Sequence, residues 1–255
     1  MPGNIKMTRI TAFLIHLGIS AVIFFILLYF IIFHWYPFPL FSSDGGWQGI
    51  RIIAGVDLVL GPLLTLIVFK PGKPSLKMDL SIIACIQLTA LIWGSWITYK
   101  ESPFAIVYST NYFKPITRYQ VAEAGTSLTK IRELDGNKLP IIYLQLPDDA
   151  TEAKKIRLES VRKTTPLYLF GNLYARFSDK NIGQIENHSI DLAHILEKET
   201  TLYSKTKNKI KSYLDMKNNN NLYLNLWGRH KKQVAVFDKE QYIIIDIIDV
   251  DRLGY

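Results

Sequence analysis

Three long apolar runs fill the first hundred residues, and no run of comparable length follows them. The runs are Ile10–Trp35, Ile50–Phe69 and Leu80–Tyr99. A helix rises about 1.5 Å per residue, so about 20 apolar residues cross a hydrocarbon core of roughly 30 Å. Each run reaches that length, and turns rich in proline and glycine separate them. The sequence therefore predicts a transmembrane domain over residues 1–100, with helices at about 10–35, 50–69 and 80–99.

Basic residues at the ends of these runs predict the orientation of the chain. Short cytoplasmic loops carry an excess of Lys and Arg. The side on which the chain begins holds five of them, namely Lys6, Arg9, Lys70, Lys73 and Lys77, whereas the opposite side holds Arg51 and Lys100. The first run also exceeds the roughly 7–15 residues of a signal-peptide core. We therefore expect a multi-pass protein of a bacterial inner membrane, with a cytoplasmic amino terminus and a periplasmic carboxy-terminal part.

The charges of the remaining chain indicate a soluble surface with both signs mixed. The whole chain has 30 Lys and Arg against 22 Asp and Glu, a net charge of +8, and residues 1–100 and 101–255 each contribute half of it. A periplasmic domain of this kind is not expected to bind nucleic acid. The single cysteine, Cys85, lies inside the third apolar run. It excludes an intramolecular disulfide, a CxxC redox centre and a zinc site made of cysteines.

Residues 101–255 have the pattern of a compact periplasmic α+β domain. Strand-like segments stand at both ends of it, with helical segments between them. The predicted early strands are Phe104–Ser109 and Pro140–Leu146. The predicted helices are Arg118–Gly125, Asp149–Arg162, Ile190–Glu199 and Tyr203–Met216, and a loop is expected at Asn218–Asn221. Three final strands, Leu222–Trp227, Gln233–Phe237 and Tyr242–Ile248, predict an antiparallel β-meander.

Polar and helix-breaking residues inside the apolar runs are the candidate site. A charge in the membrane is expensive and needs a partner, so Asp57 is expected to bind Gln87, a hydroxyl group or a neighbouring subunit. The arrangement is interpreted as a polar clamp between helices, with partner binding or proton movement as alternatives. Gly61-Pro62 predicts either a tolerated kink or a notch that receives another transmembrane helix. Arg51 lies near a helix end and can reach the interface without any further role.

The exported part offers no pattern of catalytic residues. It contains no HExxH, no GxSxG and no glycine-rich nucleotide loop. His188 and His194 are six residues apart, which does not place them together on one helix face as a metal pair. Asp246, Asp249 and Asp251 lack the glycine and the terminal glutamate of a calcium loop. No catalytic, cofactor-binding or metal-binding residue is therefore predicted.

Several segments together resemble the type IV pilin accessory proteins of the TfpX/TfpZ family. They are His34–Pro39 (HWYPFP), Gly45–Gly49 (GGWQG), Val56–Thr65 (VDLVLGPLLT), Phe69–Lys73 (FKPGK), Lys77–Leu80 (KMDL) and, near the end, Leu224–Arg229 (LNLWGR). The resemblance implies an inner-membrane protein without assigned catalytic residues that assists assembly of a particular pilin. It implies that small residues such as Gly55 and Gly61 pack against the pilin's transmembrane stem, while the sheet domain meets its periplasmic head.

Two other functional classes remain open at this stage. An envelope enzyme that modifies pilin would need a carboxylate or histidine clustered in a pocket of the exported domain. A membrane-bound envelope sensor is disfavoured, because little polypeptide remains in the cytoplasm for signalling. The expected partners are accordingly a pilin subunit and the lipid bilayer, and self-association stays open.

Overall fold

The chain is divided into two compact units. A computed structural model describes residues 7–198, 204–216 and 220–250. One unit comprises Met1–Tyr36 with Gly45–Glu101, and the other comprises Pro37–Asp44 with Ser102–Tyr255. The sequence placed all of residues 1–100 in one domain. The structure instead groups the short segment Pro37–Asp44 with the second unit, because its side chains pack into that unit's core.

The first unit consists of three long helices. They are α1 (Arg9–Trp35), α2 (Gly46–Val68) and α3 (Leu76–Lys100), and all three are long and apolar enough to span a membrane. The predicted helices at 10–35, 50–69 and 80–99 correspond to them. Helix α2 begins earlier than predicted, because Gly45 adopts a left-handed conformation (φ 112°) that turns the chain into the helix at Gly46.

Helix α2 contains a widened π-helical segment at its centre. This segment, Gly55–Leu60, stands directly before Gly61-Pro62. Proline has no N–H group and its ring crowds the preceding turn, so a regular α-helix cannot pass through it unchanged. The chain accommodates Pro62 by local widening and the helix continues to Val68. Asp57 therefore lies in the π segment, a type of irregularity that is frequent at functional sites.

The second unit is built on one mixed sheet of seven strands. Their spatial order is β4-β3-β1-β2-β5-β6-β7. The strands are β1 (Pro103–Ser109), β2 (Tyr112–Thr117), β3 (Ile141–Leu144), β4 (Tyr174–Ala175), β5 (Asn221–Trp227), β6 (Lys232–Asp238) and β7 (Ile243–Asp249). The pairs β1/β3 and β2/β5 are parallel and the others are antiparallel. The predicted α+β class and the terminal antiparallel meander are thus present.

Six helices surround this sheet in the described residues. They are α4 (Arg118–Glu123), α5 (Leu128–Leu134), α6 (Ala150–Arg162), α7 (Asp179–Ile185), α8 (Leu192–Lys198) and α9 (Ser204–Met216). Helices α4, α6, α8 and α9 were predicted, whereas β2, β4, α5 and α7 were not. The predicted ends at Glu199 and Tyr203, the loop residues Asn218 and Asn219, and Asp251 lie outside the described residues.

Apolar side chains alternate between the two faces of the sheet. Along β1, Ile106 and Tyr108 belong to one buried cluster, and Ala105 and Val107 belong to another on the opposite face. The first cluster also takes in side chains from β5, β6 and α7. Leu40, from the short segment Pro37–Asp44, is completely buried in it. This burial explains why the segment belongs to the sheet unit.

Candidate functional site

Five polar side chains from all three long helices meet inside the first unit. Helix α1 contributes His16 and Ser20, which are four residues apart and therefore share a helix face. Helix α2 contributes Asp57 and Thr65, and helix α3 contributes Gln87. We call these five residues the interhelical polar cluster. Ser20 and Asp57 are each only 1% exposed, so the cluster is enclosed by the helices that supply it.

Gln87 is the centre of the cluster. Its side-chain amide donates to Asp57 Oδ1 at 2.7 Å and to Ser20 Oγ at 3.2 Å. The Ser20 hydroxyl also donates to Asp57 Oδ1, at 3.0 Å. The other end of Gln87, Oε1, lies 2.9 Å from His16 Nε2, and His16 Nδ1 lies 2.6 Å from Thr65 Oγ1. One continuous hydrogen-bonded chain therefore connects Thr65 to Asp57.

The chemistry of these groups fixes the protonation of one histidine nitrogen. A carboxamide oxygen can only accept, so His16 Nε2 must carry a proton and donate it to Gln87 Oε1. His16 Nδ1 then accepts from the Thr65 hydroxyl when the ring is neutral, and donates to it when the ring is charged. Asp57 Oδ1 receives two donors, while Asp57 Oδ2 is buried and has no hydrogen-bond partner among the residues that the structure describes. The cluster is thus saturated on one carboxylate oxygen only.

Gly61 provides the space that Gln87 occupies. A Cβ atom at position 61 would overlap the Gln87 side-chain amide. The predicted notch at Gly61-Pro62 is therefore filled by this chain's own α3. Gly55 is different, because outside its own turn of helix no atom of the described residues lies within 4 Å of the position that its Cβ would take. Arg51 is exposed on α2, and no hydrogen bond or ion pair joins it to the cluster in the described part of the chain.

A groove of about 400 Å³ opens over the interhelical polar cluster. Its walls come mainly from apolar side chains of α1 and α3, and the five cluster residues contribute to its floor. The apolar lining consists of Met7, Ala12, Ile15, Ile19, Ile23, Phe69, Leu80, Ala84, Leu88 and Leu91. Exposed Ile15, Ile19 and Leu88 are among these residues. The groove can therefore receive an apolar group against a polar floor.

The sequence predicted two members of the cluster, Asp57 and Gln87, and missed three. A signal for the missing ones was present. His16 and Ser20 interrupt an otherwise apolar run with a spacing of four, which marks a polar stripe on one helix face. Thr65 follows Asp57 by eight residues, about 80° further round a regular helix, so the two residues share only a broad face.

A second polar site joins two distant segments within the sheet unit. Arg229 donates its backbone N–H to Asp44 Oδ1 at 3.1 Å, and the Ser43 hydroxyl donates to Asp44 Oδ2 at 2.7 Å. The backbone N–H of His230 donates to the Ser43 carbonyl at 2.8 Å. A Cβ atom on Gly228 would come within 2.6 Å of Ser43 Cβ. The β5–β6 turn is therefore hydrogen-bonded to, and closely packed against, the segment that precedes helix α2.

Burial shapes the ionisation of the charged groups at this second site. Asp44 is 6% exposed, and its burial raises the carboxyl pKa even though Ser43, Arg229 and Lys114 act in the opposite direction. Burial likewise lowers the pKa of Lys114, whose amine donates to the Trp227 carbonyl at 2.9 Å. The Trp227 ring stacks on Tyr112 with their centroids 4.1 Å apart. Hydrogen bonds and aromatic packing therefore stabilise this end of the sheet, whereas burial disfavours the charged forms of Asp44 and Lys114.

Other candidate ligands of the sheet unit are engaged separately. His188 Nδ1 lies 2.8 Å from the Tyr108 hydroxyl. Asp246 accepts from Lys209 and Tyr213, and Asp249 pairs with Lys231 at 3.1 Å. Within residues 7–198, 204–216 and 220–250, no three His, Cys, Asp or Glu side chains are grouped as a metal site would require.

The architecture defines a class of protein with three helices able to span a membrane and a mixed-sheet unit. The "Fimbrial assembly protein, serogroups C1 and C2" of Dichelobacter nodosus is 34% identical over 106 residues, which are 41% of this chain and 81% of that protein. The serogroup E1 and serogroup I proteins are 35% and 34% identical over 106 residues, and the chain spans 41% of their length. Neither a protein-family model nor a solved structure matches. The chain belongs to the family of these fimbrial assembly proteins.

Proposed function

We propose that this chain is a membrane-anchored, non-enzymatic accessory protein that assists the assembly of a type IV pilin into pili. The observation that carries the proposal is its identity with proteins named for fimbrial assembly, one of which it covers over 81% of its length. The TfpX/TfpZ resemblance of the motifs around Asp57 and Arg229 supports the more specific assignment. In the structure, Asp57 lies between packed helices, and the Arg229 backbone joins the β5–β6 turn to Asp44. These structural roles agree with the proposal of an accessory protein.

The proposed location is the bacterial inner membrane, with the sheet unit in the periplasm. Three helices of sufficient length and apolar composition support the membrane anchor. Most of the basic residues near the helix ends lie at the start of α1 and between α2 and α3, which supports a cytoplasmic amino terminus. In this orientation, an odd number of crossings brings Ser102 and the residues after it to the periplasmic side.

The proposed partner is a pilin subunit whose apolar stem lies in the groove between α1 and α3. Lining residues of α1 run from Ala12 to Ile23, which at about 1.5 Å per residue corresponds to roughly 16 Å of helix. That length covers about half of a hydrocarbon core. Association of helices in lipid depends on close packing and a few polar contacts. An apolar groove over a polar floor supplies both.

The test is site-specific photocrosslinking in cells that make an epitope-tagged pilin from the same bacterium. One photoreactive residue replaces Ala84, which lines the groove, and a matched control replaces Ile86 on the same helix. Ile86 is 62% exposed and does not line the groove. A third position, Tyr143, samples the sheet unit. Gly61 and Phe237 are unsuitable, because one is filled by Gln87 and the other is completely buried.

The proposal predicts pilin adducts at Ala84 that exceed those at Ile86 by several-fold. Equal adducts at both positions, together with adducts at Tyr143, would support pilin as the partner but exclude the groove as its binding site. A scan that captures no pilin at any position, in cells whose pili still require this protein, would overturn the direct role in pilin binding.

A further inference from the structure

Helix α6 (Ala150–Arg162) is well formed and yet contributes nothing to the core. Asp149 caps its amino terminus by accepting the Glu152 N–H at 2.7 Å, and Glu159 pairs with Lys163 at 2.6 Å near its end. However, none of its residues is buried, and none belongs to the three apolar clusters that the described residues form. Local capping and charge pairing therefore stabilise the helix itself, with little help from burial.

The outward face of α6 combines exposed apolar residues with cations. Lys154, Leu158 and Val161 follow each other at spacings of four and three, so they form one line along the helix. Leu158 is 60% exposed and Val161 is 77% exposed. A surface helix normally turns its apolar residues toward the core. Here Leu158 and Val161 point outward, whereas Ala153 and Ile156 are half-buried on the inner face.

Basic side chains border this apolar line on both sides. Residues 150–163 contain five basic and two acidic groups, a net charge of +3. The basic groups are Lys154, Lys155, Arg157, Arg162 and Lys163. Among the described residues, Lys163 alone of the five forms an ion pair. Lys155 and Arg162 lie near enough to Glu159 to attract its carboxylate. Lys154 and Arg157 are exposed and direct their charged ends to the surroundings.

We propose that α6 lies on an anionic lipid surface. Leu158 and Val161 would enter the boundary between headgroups and acyl chains, and the flanking cations would reach lipid phosphates. A helix with a strongly basic polar face and a narrow apolar line has this mode of binding. Lys and Arg stems lie along apolar surface while their charged ends stay hydrated. The centre of a protein–protein interface, in contrast, is depleted of lysine. This inference does not depend on the pilin partner.

The test places one fluorophore at a time on the full-length protein in lipid vesicles. Because Cys85 is the single cysteine, a Cys85→Ala background permits labelling at Val161→Cys with an environment-sensitive dye. Glu152→Cys is the matched control, since it lies nine residues away, about two and a half turns, on the opposite side of α6. Quenching by a nitroxide at the headgroup boundary is compared in vesicles with phosphatidylglycerol and with phosphatidylcholine alone.

The proposal predicts quenching and a blue shift at position 161 in phosphatidylglycerol vesicles, with little change at position 152. Neutralising Lys154 or Arg157 to Gln is expected to weaken the contact about fivefold each. The pair Lys205→Gln and Lys211→Gln on basic helix α9 is the charge control and should have no effect at position 161.

Two results would overturn the proposal. One is a dye at position 161 that stays in water in both kinds of vesicle, or that is quenched to the same extent as position 152. The other is protection of position 161 that arises only when pilin is added, which would make this face a protein contact.

Discussion

The hydrogen bonds between Asp44 and the β5–β6 turn can be tested by two substitutions, one expected to destabilise the site and the other expected to change it little. Asp44→Ala removes the acceptor of the Arg229 N–H and of the Ser43 hydroxyl in a buried place. Asp44→Asn keeps one oxygen for the Arg229 N–H, and its amide group can donate to the Ser43 hydroxyl oxygen. The two variants therefore separate the hydrogen bonds of the site from its charge.

The expected cost follows from these contacts. A hydrogen bond to a charged group contributes about 1.5–3 kcal/mol, and a buried donor left without an acceptor costs about 1–3 kcal/mol. Removal of the Asp44 charge offsets part of this, because burial already disfavours the ionised carboxylate. We expect Asp44→Ala to lower the local opening free energy by about 2–4 kcal/mol. Asp44→Asn is expected to stay within about 1 kcal/mol of the natural protein.

The assay is amide hydrogen exchange, measured by mass spectrometry on the full-length protein in detergent. Peptides covering residues 37–44 and 228–232 report the opening of the site. With a factor of ten for every 1.4 kcal/mol, Asp44→Ala should accelerate exchange about 30- to 700-fold. Unchanged exchange in Asp44→Ala, or equal acceleration in both variants, would refute the reasoning.

The same carboxyl predicts a pH dependence. Burial raises the pKa of Asp44 above its ordinary value of 3.8 in the folded protein. The folded state therefore binds the proton more tightly than the unfolded state. The stabilisation from this proton is present below 3.8 and is lost as the pH rises through the folded pKa. Protection of residues 228–232 should rise on acidification across this window, and Asp44→Asn should remove that rise.

Two further perturbations have defined outcomes. Gly61→Ala should displace the Gln87 amide and lower the unfolding free energy of the detergent-solubilised chain by about 1–3 kcal/mol. Gly55→Ala, which places its Cβ in open space, should not lower it. Equal losses in the two variants would contradict the packing argument. At Asp246, burial raises the pKa, but hydrogen bonds from Lys209 and Tyr213 outweigh it and hold the pKa below its ordinary value. Contact of α9 with β7 should therefore weaken as the pH falls through that lowered pKa, and Asp246→Asn should abolish this dependence in hydrogen exchange.

The elements predicted well from sequence are those set by length or by a simple period. The three long helices follow from the number of apolar residues in each run. The strands β5, β6 and β7 follow from alternation between short polar turns. The start of α2 was misplaced because Gly45–Gly49 resembles a loop. Only the left-handed conformation of Gly45 shows that the helix begins at Gly46.

Strand β2 was missed because it contains a proline and follows a tight turn. Thr110 adopts a positive φ of 64° in that turn, which is uncommon for threonine. Ile106 donates its N–H toward the β3 side, so its partner Pro115 directs its nitrogen away from β1. The ladder with β5 covers Tyr112 and Phe113 only. The missing N–H of Pro115 therefore removes no hydrogen bond between strands. The sequence alone could not reveal this, because it does not give the register of the strands.

The candidate site was half predictable for a related reason. A lone acid inside an apolar run, Asp57, is conspicuous because its burial is costly. His16 and Ser20 are less conspicuous, because single polar residues of moderate cost are common in long helices. His16 and Ser20 meet Gln87 only because their helices lie side by side. The arrangement of the helices depends on packing between them, which the sequence of each run alone does not reveal.

Because Pro37–Asp44 is part of the sheet unit, that unit can be completed only when the segment and the rest of the unit reach the same side of the membrane. Leu40 fills a place in the main apolar cluster, and Asp44 binds a turn 185 residues further along the chain. A fragment starting at Ser102 would lack both, so it should expose a vacant apolar surface and be prone to aggregation. In the proposed topology, a chain in which α2 or α3 fails to cross the membrane would leave this segment and the sheet unit on opposite sides. Its sheet unit could then never be completed, so proteases would have a direct means of distinguishing correctly inserted copies from failed ones.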